Sequence, residues 1–208
     1  MKHRDNMPDR QKFFAEIYRQ ISDLRLQLAV EFAYNFAKEA HRNQTRDSGE
    51  RYFNHCKAVA WVFLTEVNMQ SQHLLATIVI MALLHDLLED TFVAKKQHLH
   101  FIFDQIDPAI TEVIDEVTKD QHHNFDKLLR SNRLGTKLVK AADRLHNLRT
   151  LPACREEKRN RKIQETEETI LPWLMSDPCQ ITMNDPLKLL VRNIESELKK
   201  LHTNEPPT

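Results

Sequence analysis

Glycine is nearly missing from this chain: Gly49 and Gly135 are the only two in 208 residues. Sheets and hairpins draw on glycine for their turns, so this scarcity disfavours a β-rich fold and favours an all-α one. Net charge is missing as well. Lys+Arg and Asp+Glu number 30 each, which removes the broad electrostatic pull toward nucleic acid or anionic lipid that a basic chain exerts. A small phosphate-bearing molecule needs only a local cluster of charge and stays open. The longest apolar run, Ile78 to Leu84, is far too short to span a bilayer. The N-terminal MKHRDNMPDRQ has no apolar core of a secretion signal. No membrane and no nucleic-acid partner is therefore expected. Cysteine is scarce: Cys56, Cys154 and Cys179 are odd in number and widely spaced, fitting neither a disulfide framework nor a thiolate zinc site. A reducing, cytoplasmic location is the expectation.

What is present is helical periodicity. Asp9 opens a helix carrying Phe13, Ile17 and Ile21, and Asp23 caps a second with Leu28, Phe32 and Phe36 at four-residue steps. That second helix is expected to fail near His41, where a polar stretch runs to Gly49. A third carries Val59, Val62 and Phe63. Ser71 caps a helix expected from about Gln72 to Glu89, apolar on nearly every face and so central to the fold. Asp107-Pro108 starts a helix bearing Ile110, Val113, Ile114 and Val117. Leu138, Ala142, Leu145 and Leu148 mark another, and two more are expected near Glu156 to Trp173 and Asp185 to His202. The expectation is one bundle of about eight helices: a helical segment over 1–22, the main domain over 23–202, and a frayed tail over 203–208.

The central helix ends in LLHDLLEDT, residues 83 to 91, which places His85, Asp86, Glu89 and Asp90 in an otherwise apolar setting. A buried carboxylate without a partner costs several kcal/mol, so a bound cation is the simplest compensation. His85 and Glu89 stand four apart, as do Asp86 and Asp90, each pair along one side of a regular helix. Imidazole with carboxylate suits Mn, Fe or Zn rather than Ca. Two further ligand candidates lie elsewhere: His55 at a helix start, and Asp143 among Ala141, Ala142 and Leu145. For Asp143 an ion pair with Arg144 or Arg149 is the alternative reading. His41 and His146 read as supports rather than ligands, and His122–His123 as solvated loop.

Three segments together carry a resemblance: AHRNQTRDSGERYFNHCKAVA (40 to 60), ALLHDLLEDT (82 to 91) and KLVKAADRLHNLRTL (137 to 151), with VTKD (117 to 120) beside them. This ordered set resembles the HD-type hydrolase domain of the RelA/SpoT homologues, the enzymes of (p)ppGpp turnover. The resemblance implies an all-α, single HD-domain helical bundle with Mn²⁺ held by His55, His85, Asp86 and Asp143. It implies that Glu89 and Asp90 orient or deprotonate the attacking water. It implies nucleotide contacts from Arg46, Ser48, Asn147 and Thr150: Arg46 flanking the guanine, Thr150 helping to read the base, Asn147 holding the sugar-phosphate. The implied reaction removes pyrophosphate from the ribose 3′ position of (p)ppGpp, giving GDP or GTP, as expected of a stand-alone small alarmone hydrolase.

The chain departs from the family at Asn43, where Gly is usual, at Cys56, where Pro is usual, and at Asp47, where Lys is usual. Asp47 reverses a charge directly after Arg46, so adenine alarmones or other 3′-phosphorylated nucleotides form the alternative substrate class. A binding module that has lost catalysis is a third reading, opposed by the intact His55, His85, Asp86, Glu89, Asp90 and Asp143.

Overall fold

A computed structural model of the protein describes residues 8–90, 96–118, 125–177 and 185–203, the side chains of Asp90 and of 96–98 excepted. Asp9 accepts from the backbone N–H of Lys12 and opens α1 (Arg10–Gln20). Asp23 likewise caps α2 (Leu24–Ala40), which stops at His41 as its sequence implies. Next come α3 (Tyr52–Thr65) and α4 (Gln72–Leu84), the latter capped by the Ser71 hydroxyl. The chain continues through α5 (Leu87–Asp90), α6 (Lys96–Phe103), α7 (Ala109–Val117) and α8 (Asp126–Arg130). It ends with α9 (Leu134–Thr150), α10 (Glu156–Glu165), α11 (Leu171–Leu174) and α12 (Asp185–Thr203). A π-helical turn, Thr166–Ile170, joins α10 to α11, so one continuous rod covers the span expected from Glu156 to Trp173. Among the described residues the only β feature is an isolated bridge between Thr45 and Arg51. The bundle is thus all-α, with short helices added to the eight read from periodicity.

The core forms around α4. Every residue from Leu75 to Leu84 is buried, and α2, α3, α7 and α9 pack around it. The stretch Gln72–Glu89 is long and apolar enough to cross a membrane by length and composition, yet 67% of it is buried inside the protein. All-round apolarity here marks the centre of the fold rather than a lipid-facing surface. Helix α9 packs in turn against α12 and α3. Gly135 permits the approach of α9 to α7, since a Cβ there would stand 3.1 Å from Val113 Cγ2. Helix α1 joins the same core: Phe13, Phe14 and Ile17 are buried, and Phe13 meets Tyr34 and Trp61 ring to ring. The tail residues 204–208, Cys179 and His122–His123 lie outside the described residues, as do Lys119 and Asp120 of VTKD.

One expectation is corrected. The central helix does not run unbroken from Gln72 to Glu89. It stops at Leu84, His85 and Asp86 form a turn, and α5 restarts at Leu87. His85 Nδ1 donates to the carbonyl of Ala82 at 2.9 Å, the carbonyl that the Asp86 N–H claims in a regular helix. The pairs His85/Glu89 and Asp86/Asp90 therefore do not share one regular helix face.

Candidate metal centre

Three helices deliver the site. His55 comes from the first turn of α3, His85 and Asp86 from the break after α4, and Asp143 from the middle of α9. His55, His85 and Asp86 present ligand atoms all within 4.8 Å of one another. Asp143 Oδ1 lies 3.2 Å from His55 Nε2 and 3.8 Å from His85 Nε2. Asp86 Oδ2 lies 3.1 Å from His85 Nε2 and 3.5 Å from His55 Nε2. His85 is 1% exposed, His55 3% and Asp143 5%, so these groups meet away from bulk water.

The chemistry of this donor set fits a cation. Because His85 Nδ1–H donates to a backbone carbonyl, the neutral ring carries a bare lone pair on Nε2. That buried atom has no hydrogen-bond partner, and its nearest neighbour is a carboxylate oxygen, which has only lone pairs to offer. A divalent ion among the four groups reconciles them, and imidazole with carboxylate is the donor set of first-row transition metals. Without an ion the site takes protons instead. Burial pulls the His85 imidazolium down, but Asp86 beside it and Asp143 outweigh that and hold it at about 9. Burial raises Asp86 and Asp143 too, yet His85 and His55 hold Asp86 well below the usual carboxylate range, and Lys140 and His55 do the same for Asp143.

Around these four stand residues that motif reading did not single out. The Tyr52 hydroxyl donates to Asp86 Oδ2 at 2.7 Å; burial and then Asp86 push its phenol well above the ordinary range. Lys140, almost fully buried, donates to Asp143 Oδ2 at 2.9 Å. It, rather than Arg144 or Arg149, is the cation beside that carboxylate: Arg144 pairs with Glu165 and Arg149 with Glu66. His41 stacks on Tyr52 at 5.0 Å, and its Nδ1 meets Gln44 Oε1 at 2.5 Å. Tyr52 and Lys140 each stand three residues before a ligand candidate, His55 and Asp143, one turn away on the same helix, but that spacing does not announce which carboxylate Tyr52 meets.

The expected nucleotide-contact residues fall in two groups. Arg46 and Asn147 come together, Arg46 Nη2 donating to Asn147 Oδ1 at 2.7 Å, and Asn147 Nδ2 donating to Asp143 Oδ1 at 2.6 Å. The loop holding Arg46 is closed by Arg46 N–H to Glu50 O and Gly49 N–H to Arg46 O, both 2.8 Å. Ser48 sits exposed at the tip of that loop, where its hydroxyl accepts from the Glu50 N–H at 3.4 Å. Thr150 donates its hydroxyl to its own helix, to the carbonyls of His146 at 3.2 Å and Asn147 at 3.0 Å. Asp47, the charge reversal, is ion-paired with Lys158 of α10. Glu89 lies in α5, three residues past Asp86, whose carbonyl accepts its N–H at 3.3 Å. The Asp90 side chain lies outside the described residues.

The chain is 40% identical over 153 residues to the GTP pyrophosphokinase rsh of Brucella melitensis, covering 67% of this chain and 19% of that protein. It is 37% identical over 153 residues to the bifunctional (p)ppGpp synthase/hydrolase SpoT of Escherichia coli, covering 67% of this chain and 20% of that protein. The chain thus spans about a fifth of the length of these relatives. Its fold matches the solved structure of a metazoan SpoT orthologue described as hydrolysing ppGpp, with a TM-score of 0.64, 23% identity, and 83% of this chain and 95% of the other covered. The HD-domain profile matches residues 33–170, a span containing His55, His85, Asp86 and Asp143, and the protein belongs to the HD-domain family.

Proposed function

We propose that this protein is a metal-dependent phosphohydrolase that removes pyrophosphate from the ribose 3′ position of (p)ppGpp, giving GDP or GTP. The single observation that carries the metal dependence is the convergence of His55, His85, Asp86 and Asp143, with the bare Nε2 of His85 facing a carboxylate. The substrate reading is supported by relatives named for (p)ppGpp hydrolysis and by Arg46, a cation brought to the rim of the centre through Asn147. Mn²⁺ is the ion we propose, in keeping with a donor set of two imidazoles and two carboxylates. A divalent ion bound there acidifies water at neutral pH and offsets charge building on the phosphoryl oxygens.

The residues divide the remaining work. Arg46 and Asn147 meet the nucleotide, and Ser48 and Thr150 are the further contacts that the family resemblance implies. Glu89, with Asp90, takes the proton of the attacking water. The water oxygen bonds to the phosphorus attached to O3′, the P–O3′ bond breaks, and the proton is returned to the ribose oxygen. Lys140 holds the outer oxygen of Asp143, Oδ2, while Tyr52 donates to Asp86 Oδ2, the same oxygen that faces His85 and His55, and both contacts fix their carboxylates in place. The free thiols of Cys56 and Cys154 suit a reducing cytoplasm.

A second reading keeps the site and changes the base, to adenine alarmones or other 3′-phosphorylated nucleotides. Asp47 favours it, because it sets a carboxylate beside Arg46 and occupies Lys158. Purified protein with Mn²⁺ is to be given ppGpp and its adenine counterpart, with pyrophosphate release measured. Release from ppGpp with GDP as co-product is the expected result. Release from the adenine compound alone selects the second reading, and release from neither overturns the first reading and the adenine form of the second.

A further inference from the structure

His55 and His146 stand with their Nδ1 atoms 2.8 Å apart, a hydrogen bond in which one ring donates and the other accepts. The donor is identified by a third group. Arg46 Nη1 points at the same His146 Nδ1 from 3.4 Å, and a guanidinium carries only donors. A hydrogen on His146 Nδ1 would face the Arg46 N–H head-on, so His146 Nδ1 is the acceptor and His55 Nδ1 carries the hydrogen. With its hydrogen on Nδ1, the neutral His55 ring leaves Nε2 as a bare lone pair, 3.2 Å from Asp143 Oδ1 and 3.5 Å from Asp86 Oδ2.

We infer that His146 is a positioning residue that sets the tautomer of His55, and so turns His55 Nε2 into a ligand for the ion. The inference rests on the metal reading of the centre and goes beyond it by giving a role to a residue outside the ligand set. The two ligand histidines are then oriented by different means. A backbone carbonyl, Ala82 O, fixes His85, and no side-chain substitution removes it. A side chain, His146, fixes His55, so this half of the centre is open to mutation. Without the acceptor, His55 gains by moving its hydrogen to Nε2 and donating to Asp143. That tautomer closes the centre to a cation by an internal hydrogen bond.

The test uses the full chain stripped by chelator and titrated with Mn²⁺, free ion being read by its paramagnetic resonance, for wild type, His146→Ala and His146→Asn. An Asn side chain can place its amide oxygen close to where Nδ1 of a histidine stands, so it restores an acceptor there without the imidazole. His146→Ala is expected to bind Mn²⁺ about 10- to 100-fold more weakly, the usual consequence of losing a group that orients a ligand histidine. His146→Asn is expected within a few-fold of wild type. In the Zn²⁺-loaded proteins, nitrogen-correlated NMR is expected to show hydrogen on His55 Nδ1 in wild type and in His146→Asn. Equal Mn²⁺ affinity in wild type and His146→Ala, or an Asn variant that folds but binds as weakly as Ala, overturns the inference while the metal reading stands. A wild-type protein that takes up no divalent ion removes both.

Discussion

The Tyr52 hydroxyl donates to Asp86 Oδ2 at 2.7 Å and so ties the first turn of α3 to the break after α4. A hydrogen bond to a charged acceptor contributes about 1.5–3 kcal/mol. Tyr52→Phe keeps the ring on His41 and removes only the donor. It is expected to lower the stability of the ion-free protein by about 2 kcal/mol, read from urea unfolding with chelator present. A variant as stable as wild type would show that Asp86 is held without Tyr52.

Separating binding from chemistry needs two variants. Asp86→Ala removes a carboxylate that faces both ligand histidines and is expected to abolish ion retention and turnover together. Glu89→Gln is expected to retain the ion and lower kcat by about 10²–10⁴-fold, the range for loss of a general base. Elemental analysis of the purified variants alongside pyrophosphate release distinguishes them. Full activity in Glu89→Gln would remove the role assigned to that carboxylate.

Acidity provides a third check. In the ion-free protein Asp86 and Asp143 hold His85 at about 9 against an ordinary 6.5, despite burial pulling the other way. A group raised on folding contributes stability that is complete below 6.5 and fades as pH climbs through about 9. Asp86 and Asp143 are depressed, so their contribution is present above 3.8 and fades as pH falls below it. The urea midpoint of chelated protein is therefore expected to decline between pH 6.5 and 9. Saturating divalent ion is expected to flatten that decline, because the ion and not a proton then supplies the positive charge. A chelated protein with a constant midpoint across this window would contradict the account.

Gly49 adopts a φ of 77° in the loop that holds Arg46. A Cβ there meets nothing within 4 Å, so the penalty for Gly49→Ala is backbone strain alone, about 1–2 kcal/mol. The loop is expected to relax away from Asn147, raising KM several-fold with Mn²⁺ affinity unchanged. A variant with unaltered KM would separate Arg46 placement from the loop's left-handed turn.

Much of the fold was legible because its signals are local. Asp9, Asp23 and Ser71 each cap the helix that their position in the sequence announces, and the apolar α4 is central because no face of it suits water. The short α6 and α8 escaped notice, being too brief for periodicity to register. The break at His85 escaped because it depends on a side chain taking a carbonyl from its own helix, which composition does not reveal. The converging residues of the site were legible as a motif. Their supports were not, since the pairings of Tyr52 with Asp86 and of Arg46 with Asn147 join residues 34 and 101 apart in the chain.

Lys140, Asp143 and His146 follow one another at three-residue steps along α9, with Asn147 four past Asp143, so a single rigid rod carries residues of both the proposed ion site and the proposed nucleotide site. That rod also packs on α12. Any repacking against α12 that rolls α9 by a few degrees therefore detunes both halves of the centre at once. Variation at that distant seam should make ion affinity and KM drift together, whereas variation in the Arg46 loop should move KM alone.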